Sequence, residues 1–127
     1  MGDISEHFSK LDFACPCGQC ANQFTINPAL LIRLEAMYTS IGDSMKITSG
    51  YRCPAHSVAV GGHVDDAHTT GDAVDFSTKD GKQRFDVLTH ACGVGFRRIG
   101  VGAVGSHAGH IHLDVAARLV QDVCWVE

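Results

Sequence analysis

The sequence predicts an α+β fold in which two main helices pack against a small, mainly antiparallel sheet. Two segments, "NPALLIRLEAMYTSIG" and "DGKQRFDVLTHACG", carry apolar residues at helical spacing. Short stretches between and after them alternate apolar and polar residues, which is typical of half-buried strands. The length of 127 residues is that of one domain, so we expect residues 1–127 to form a single unit with a cysteine-rich N-terminal segment over about 1–26.

The two helices have recognisable ends. Asn27 is a favourable N-cap for the first helix, Pro28 suits its first position and Gly42 ends it. For the second helix, Asp80 is the expected N-cap and Gly93 the expected C-cap. The first helix is predicted to bury Leu30, Leu31, Leu34, Met37, Tyr38 and Ile41.

Four strands are predicted, at "MKITS", "DAVDFS", "RRIGVG" and "HIHLDV". The last two are separated by the glycine-rich loop "GAVGSHAG", and "HIHLDV" is the final strand expected. Residues 1–26 read as irregular, and residues 53–67 as a short helix followed by a loop.

Composition excludes two classes of partner. The net charge is −4 and the ten Lys and Arg residues are scattered, so no nucleic acid is expected. No apolar run approaches the roughly 20 residues of a membrane span, so no membrane insertion is expected. The opening "MGDISEHFSK" has no apolar stretch of the kind found in a secretory signal. We therefore expect a protein made in the cytoplasm. We also expect it to be a monomer.

The stretch "HTTGDAVDF" places a carboxylate in an apolar strand. Val74 and Phe76 are predicted to point to one face and Asp75 to the other. A buried carboxylate is costly unless it is paired or bound to a metal. Gly71 allows the chain to turn, so that His68 can fold back beside Asp75.

The stretch "HIHLDV" has one apolar and one polar face. His110, His112 and Asp114 alternate with Ile111 and Leu113. The polar face must be exposed, paired or coordinating a ligand. Two histidines and one carboxylate, with water in the fourth position, form a recurring catalytic zinc site. Ordinary surface positions for these residues are the alternative.

Three motifs in order, "SGYRCPAHSVAVGG", "DDAHTTGDAVDF" and "GHIHLDV", resemble the zinc D-alanyl-D-alanine carboxypeptidase family. That family also contains the L-alanyl-D-glutamate endopeptidases of phage lysins and D-alanyl-D-alanine dipeptidases. The resemblance extends from about Asn27 to Trp125 and is nearest to short phage-borne or prophage-borne members. It implies the zinc DD-peptidase/hedgehog-like fold.

The resemblance also implies roles for individual residues. The family pattern His-x-x-Gly-x-Ala-x-Asp begins at His68 and ends at Asp75, and its His-x-His pair falls on His110 and His112. One catalytic zinc ion would be held by His68, Asp75 and His112. Arg52 of "SGYR" would bind substrate or polarise the scissile carbonyl, and His110 would help to stabilise the transition state.

Asp114 shares the polar face with His112. It is expected to support either a zinc ligand or Arg52 through a hydrogen bond.

Two positions depart from the family pattern. Many members carry Asp or Glu as general base three residues before the last zinc histidine, where this chain has Gly109. His110, His107 or Asp66 could accept the proton instead, or the site could be slow or inactive. Asp66 also stands where the family usually has Ser. As a substrate-binding residue it would repel a terminal carboxylate and favour an endopeptidase; a solvated loop position is the alternative.

The predicted function is zinc-dependent hydrolysis of a peptide bond in peptidoglycan stem peptides, as an endolysin-like endopeptidase or a D-Ala-D-Ala carboxypeptidase. The alternative is a catalytically silent zinc-bearing module that binds cell-wall peptide or a protein partner. The resemblance implies action on the cell wall after phage-type release, or as a virion component.

The opening segment contains "CPCGQC", with Cys15, Cys17 and Cys20. A structural zinc site normally needs four ligands, and either His7 or Cys53 could be the fourth. A disulfide and free thiols are the other two interpretations. A cysteine-based redox or zinc-structural protein is accordingly a third function.

Overall fold

The structure is a computed structural model that describes residues 2–42, 45–63, 65–103 and 105–127, without the side chain of Ser106. Val64 and Val104, which belong to two predicted loops, lie outside the described residues. The helices are α1 (Lys10–Phe13), α2 (Pro28–Ile41), α3 (Pro54–Ala59) and α4 (Gly81–Gly93), and a 3-10 turn covers Gly105–His107. The strands are β1 (Ile47–Ser49), β2 (Ala73–Ser77), β3 (Arg98–Val101), β4 (His110–Asp114) and β5 (Val123–Val126).

The sheet has the strand order β1-β2-β4-β3-β5. Its neighbours are antiparallel except for β3 and β5, which run parallel. The predicted α+β class is therefore confirmed, and so are the four predicted strands. The prediction that β4 is the last strand is wrong, because the four residues "VCWV" add β5 as a parallel edge strand. Half of the side chains of β5 are exposed. So short an edge strand carries little apolar signal.

The helices begin where their caps predict. The Asn27 side chain accepts a hydrogen bond from the Ala29 amide, 2.9 Å away, and Asp80 accepts one from the Gln83 amide at 2.8 Å. Helix α4 ends one residue later than expected, with Val94 as its C-cap. No helix in the described ranges combines the length and apolar character that a membrane span requires.

One face of the sheet forms the main core together with α2 and α4. Strand β2 contributes Val74 and Phe76 to this face, and β4 contributes Ile111 and Leu113. Because side chains alternate along a strand, the opposite face is left to the polar residues between them. The helical side chains fully buried against the sheet are Leu30, Leu34, Met37, Val87 and Ala91.

The N-terminal segment, expected to be irregular, contains α1 and is fixed to α2 by Glu35. The Glu35 carboxylate accepts hydrogen bonds from the Ser5 hydroxyl and the His7 amide, and His7 Nδ1 lies 2.7 Å from Glu35 Oε1. The His7 ring also stacks on Tyr38, with ring centroids 4.2 Å apart. Burial raises the pKa of Glu35, but these hydrogen bonds outweigh burial and lower it.

Candidate metal centre

The candidate centre lies on the face of the sheet opposite the main core. Asp75 of β2 is paired directly with His112 of β4. Since Val74 and Phe76 point into the core, Asp75 points to the other face, where it is 8% exposed. His112 Nδ1 lies 3.1 Å from Asp75 Oδ1. Strand alternation and sheet register thus bring these two residues together.

His68 reaches the same point from the loop before β2. Gly71 has a φ of +76°, and a Cβ there would lie 2.7 Å from the Thr25 carbonyl oxygen, so the turn requires glycine. The turn places His68 Nε2 3.4 Å from Asp75 Oδ1. One potential ligand atom from each of His68, Asp75 and His112 therefore lies within 4.8 Å of the other two.

Both imidazoles are held by their outer nitrogens. His68 Nδ1 lies 2.7 Å from the Gly50 carbonyl oxygen, and His112 Nε2 lies 2.7 Å from Asp114 Oδ2. A carbonyl oxygen can only accept, so Nδ1 of His68 carries the proton and Nε2 has a lone pair directed inwards. The Asp114 carboxylate favours the corresponding tautomer of His112. Such outer partners commonly orient metal-binding histidines.

The electrostatics of the three residues suit a cation. Burial raises the pKa of Asp75, but its interactions with His112 and His68 outweigh burial and hold the pKa well below its usual range. Burial lowers the pKa of His112, whereas its contacts with Asp114 and Asp75 raise it to about 9, so a metal ion binding at Nδ1 would displace a proton from the ring. Two imidazoles and an ionised carboxylate form a donor set that fits zinc and leaves a fourth position open.

Asp114 also binds a residue that was not predicted from the sequence. Arg98 Nε donates to Asp114 Oδ1 over 2.7 Å, and the Ala116 amide donates to the same oxygen. The partner of Asp114 is therefore His112, as one expectation had it, together with Arg98; Arg52 bonds elsewhere. The usable signal was the opposite charge of Arg98 and Asp114, which adjoin the Ile99–Leu113 pair on neighbouring strands.

Arg52 lies beside the three candidate ligands. Its Nη2 donates to Asp75 Oδ2 over 3.0 Å, and its Nε donates to the Ser49 hydroxyl over 3.1 Å. Nη1 is 3.9 Å from Asp66 Oδ2. The structure therefore brings Arg52, predicted from "SGYR", next to the predicted metal ligands.

Asp66 is held by its own loop. Its carboxylate accepts hydrogen bonds from the Ser57 hydroxyl and from the amides of His63 and Thr69. Burial raises the pKa of Asp66, but these bonds lower it overall. An ionised carboxylate with so many donors is a weak proton acceptor, so Asp66 is a poor substitute for the missing general base. Its binding to substrate stays a prediction.

The candidate ligands line a cleft of about 760 Å³, a size typical of ligand sites. His110 and His107 line it, as do Trp125 and Glu127, which the sequence reasoning did not select. The Trp125 ring lies against His112, with centroids 5.3 Å apart, and Trp125 Nε1 donates to Glu127 Oε2 over 2.9 Å. His107 Nδ1 is 4.0 Å from Glu127 Oε1.

Gly100 leaves space for the Trp125 ring at the side of the cleft. It pairs with His112 across the sheet, and a Cβ on Gly100 would lie 2.7 Å from Trp125 Nε1. Real Cβ atoms do not approach so closely, so the tryptophan can lie over β3 only because position 100 has no side chain.

Gly109 is also structurally required. Its φ is +85°, and a Cβ there would lie 2.8 Å from the Thr78 carbonyl oxygen. The Gly109 carbonyl accepts hydrogen bonds from the amide and the hydroxyl of Thr78. The position of the family's acidic residue is thus occupied by a left-handed turn that binds the end of β2.

A comparison with protein families finds that the profile described as Peptidase M15 matches residues 6–114, which include the three candidate metal ligands. The chain belongs to the peptidase M15 family. M15 peptidases are zinc-dependent enzymes that act on peptidoglycan, so a metallopeptidase and a cell-wall substrate are supported for this member. Among curated proteins, none matches the sequence significantly.

Proposed function

We propose that this M15 peptidase hydrolyses a peptide bond in peptidoglycan stem peptides, with zinc held by His68, Asp75 and His112. The observation that supports this proposal most directly is that three potential ligand atoms lie within 4.8 Å of one another. The other ring nitrogen of each histidine is hydrogen-bonded, in one case to Gly50 and in the other to Asp114. When bound, zinc supplies Lewis-acid polarisation of a carbonyl and lowers the pKa of water to about 7. Binding of the scissile carbonyl and acceptance of the proton are proposed to be functions of side chains.

Arg52 is the proposed anchor for the scissile carbonyl. Its guanidinium is held by Asp75 and Ser49 at the edge of the cleft, so its position is fixed before substrate binds. A preorganised cationic donor can stabilise the negative charge that develops on the carbonyl oxygen. His110, on the cleft side of β4, is proposed to share this role.

The proton acceptor is proposed to be an imidazole of residues 105–110. Gly109 has no side chain and Asp66 is saturated with donors, which leaves His107 and His110 of the earlier candidates. His107 has Glu127 at 4.0 Å, and a carboxylate can orient an imidazole and stabilise its protonated form. We therefore place His107 in the role of base and His110 in that of oxyanion donor.

We propose that Asp66 selects between endopeptidase and carboxypeptidase activity. Its negative charge lies 3.9 Å from Arg52 Nη1 and partly neutralises the cation that a terminal carboxylate would need. This arrangement favours cleavage within a stem peptide over removal of a terminal D-alanine. By its resemblance to short phage-borne members, such an endopeptidase would act after phage-type release or as a virion component.

The experiment is digestion of purified muropeptides by the wild-type protein and by His112→Ala, with the products identified by mass spectrometry. We expect wild-type cleavage that His112→Ala abolishes, and the mass lost identifies the bond. His90→Gln, on α4 behind the sheet, is the matched histidine control and should remain active. A fully active His112→Ala protein would refute the site.

The second candidate function is a zinc-bearing module that binds cell-wall peptide without cleaving it. Gly109 favours it, because the usual general base is absent and its place is occupied by the turn beside Thr78. This alternative predicts retained zinc and muropeptide binding with no product at any pH. Product formation by the wild-type protein excludes it.

A further inference from the structure

Four cysteines from two distant parts of the chain converge outside the cleft. Cys15, Cys17 and Cys20 lie between α1 and α2, and Cys53 is the N-cap of α3. Their four sulfur atoms all lie within 4.8 Å of one another. The fourth member is therefore Cys53, since the alternative, His7, is bound to Glu35.

The spacing of the sulfurs matches a tetrahedral metal site. With Zn–S bonds of about 2.3 Å, the sulfurs of a regular tetrahedron are about 3.8 Å apart. The Cys17 and Cys20 sulfurs are 3.6 Å apart, and those of Cys17 and Cys53 are 3.8 Å apart. A disulfide requires a separation of about 2.05 Å, and all four cysteines are free in this structure.

Backbone amides are directed at the sulfurs. The Cys53 amide donates to Cys15 Sγ over 3.4 Å, and the Gln19 amide donates to Cys17 Sγ over 3.3 Å. Gly18 has a φ of +75°, which lets the short segment between Cys17 and Cys20 turn back on itself. Such N–H···S contacts stabilise thiolate, the form that binds metal.

We propose that Cys15, Cys17, Cys20 and Cys53 bind a second zinc ion in a closed structural site. Four thiolates select a soft tetrahedral ion such as zinc over magnesium or calcium. Because the protein fills all four positions, no open position remains for substrate or water. Cys15 and Cys53 are buried under Tyr51, whereas Cys17 and Cys20 are partly exposed and give the ion a route of access.

The second site joins the N-terminal segment to the residues that support the first. The Tyr51 amide donates to the Phe13 carbonyl over 2.7 Å, and Gly50 packs against the Phe13 backbone. The Gly50 carbonyl accepts a hydrogen bond from His68 Nδ1, and Arg52 directly precedes Cys53. Zinc on the four cysteines would therefore hold the 50–53 segment at Cys53, while Phe13 holds it at Gly50 and Tyr51. This segment positions Arg52 and His68.

The test uses His112→Ala, so that the second site is read independently of the proposed peptidase centre. This variant should retain about one zinc per chain, and X-ray absorption should show sulfur ligands alone at about 2.3 Å. Wild-type protein should hold one equivalent more. Absence of cleavage by the wild-type protein, with this zinc still present in His112→Ala, would count against the peptidase proposal only, so the two proposals can fail separately.

Cysteine variants locate the ion. Cys17→Ser in the His112→Ala background should lose the remaining zinc, whereas Cys92→Ser and Cys124→Ser, at exposed positions, should keep it. If Cys17→Ser does not fold, cobalt substitution of His112→Ala provides the second readout through intense sulfur-to-cobalt charge-transfer bands. A His112→Ala protein without zinc or cobalt at these thiols, or with the four cysteines found as disulfides by mass spectrometry, would overturn the proposal.

Discussion

Asp75 and His112 are directly opposite each other on adjacent antiparallel strands, with Nδ1 of the histidine 3.1 Å from Oδ1 of the aspartate. A slip of one residue between β2 and β4 would turn one of them into the core. The same register buries Phe76 against Ile111 on the other face. The apolar core and the candidate metal centre are therefore specified by a single strand pairing.

Replacing Arg52 with Lys should reduce kcat/KM on muropeptides by about 10²- to 10³-fold, because lysine cannot reproduce the planar donor held by Asp75 and Ser49. Zinc content should stay unchanged, since the charge beside Asp75 is kept. Steady-state kinetics and metal analysis on the same preparation measure both. Arg97→Lys, in the exposed pair with Asp122, is the control. Unchanged kcat/KM in Arg52→Lys would remove Arg52 from the mechanism.

Replacing Asp114 with Asn should weaken zinc binding at the cleft by about 10- to 100-fold, because an amide orients the outer nitrogen of His112 less strongly than a carboxylate does. Competition with a chromophoric chelator measures the affinity. Asp122→Asn removes a carboxylate from the surface pair with Arg97 and should leave the affinity unchanged. Equal affinities for the two variants would show that Asp114 supports the fold alone.

Introducing the family's acidic residue by Gly109→Asp should lower the melting temperature without increasing cleavage. The new Cβ would meet the Thr78 carbonyl oxygen at 2.8 Å, at a φ of +85°. Strain of this kind costs about 1–3 kcal/mol. Gly61→Asp, at a φ of +94° with open space around it, separates backbone strain from the clash and should cost less. Faster cleavage by Gly109→Asp would instead identify the missing carboxylate as the sole defect of the site.

Replacing Glu35 with Gln should destabilise the protein at neutral pH by about 1.5–3 kcal/mol, the range for hydrogen bonds to a charged group. The folded state lowers the pKa of Glu35, so its contribution is present above the ordinary value and is lost as pH falls through the folded value. The difference in stability between wild type and variant should therefore shrink on acidification. Denaturant unfolding from about pH 7 to about pH 3 follows it. A difference independent of pH would exclude the carboxylate charge as its cause.

Much of the architecture could be predicted from local signals. Asn27, Pro28 and Gly42 mark the ends of α2, and strict alternation in "HIHLDV" separates the core face from the polar face. These signals are short in range, because caps and alternation depend only on neighbouring residues. The position of His68 beside Asp75 was also predictable, since the intervening Gly71 permits the turn.

The missed features depend on contacts between distant segments. Strand β5 pairs in parallel with β3. Parallel strands are not joined by a short turn, so no turn motif in the sequence indicates this pairing. Trp125 reaches His112 only because Gly100, on a third strand, leaves space for it. The fourth cysteine ligand could not be chosen from the sequence, because Cys53 is 33 residues from Cys20, a separation that carries no spatial information.

The cleft is lined by residues inside and outside the range that the family profile matches. The family profile ends at Asp114, whereas Trp125 and Glu127 belong to the segment beyond it. Residues 115–127 therefore add a wall of the cleft that the family profile does not cover. This segment also supports the metal centre, because the Ala116 amide donates to Asp114 and β5 pairs with β3. A change in its sequence would therefore alter the surface that meets the peptide and the support of His112 together.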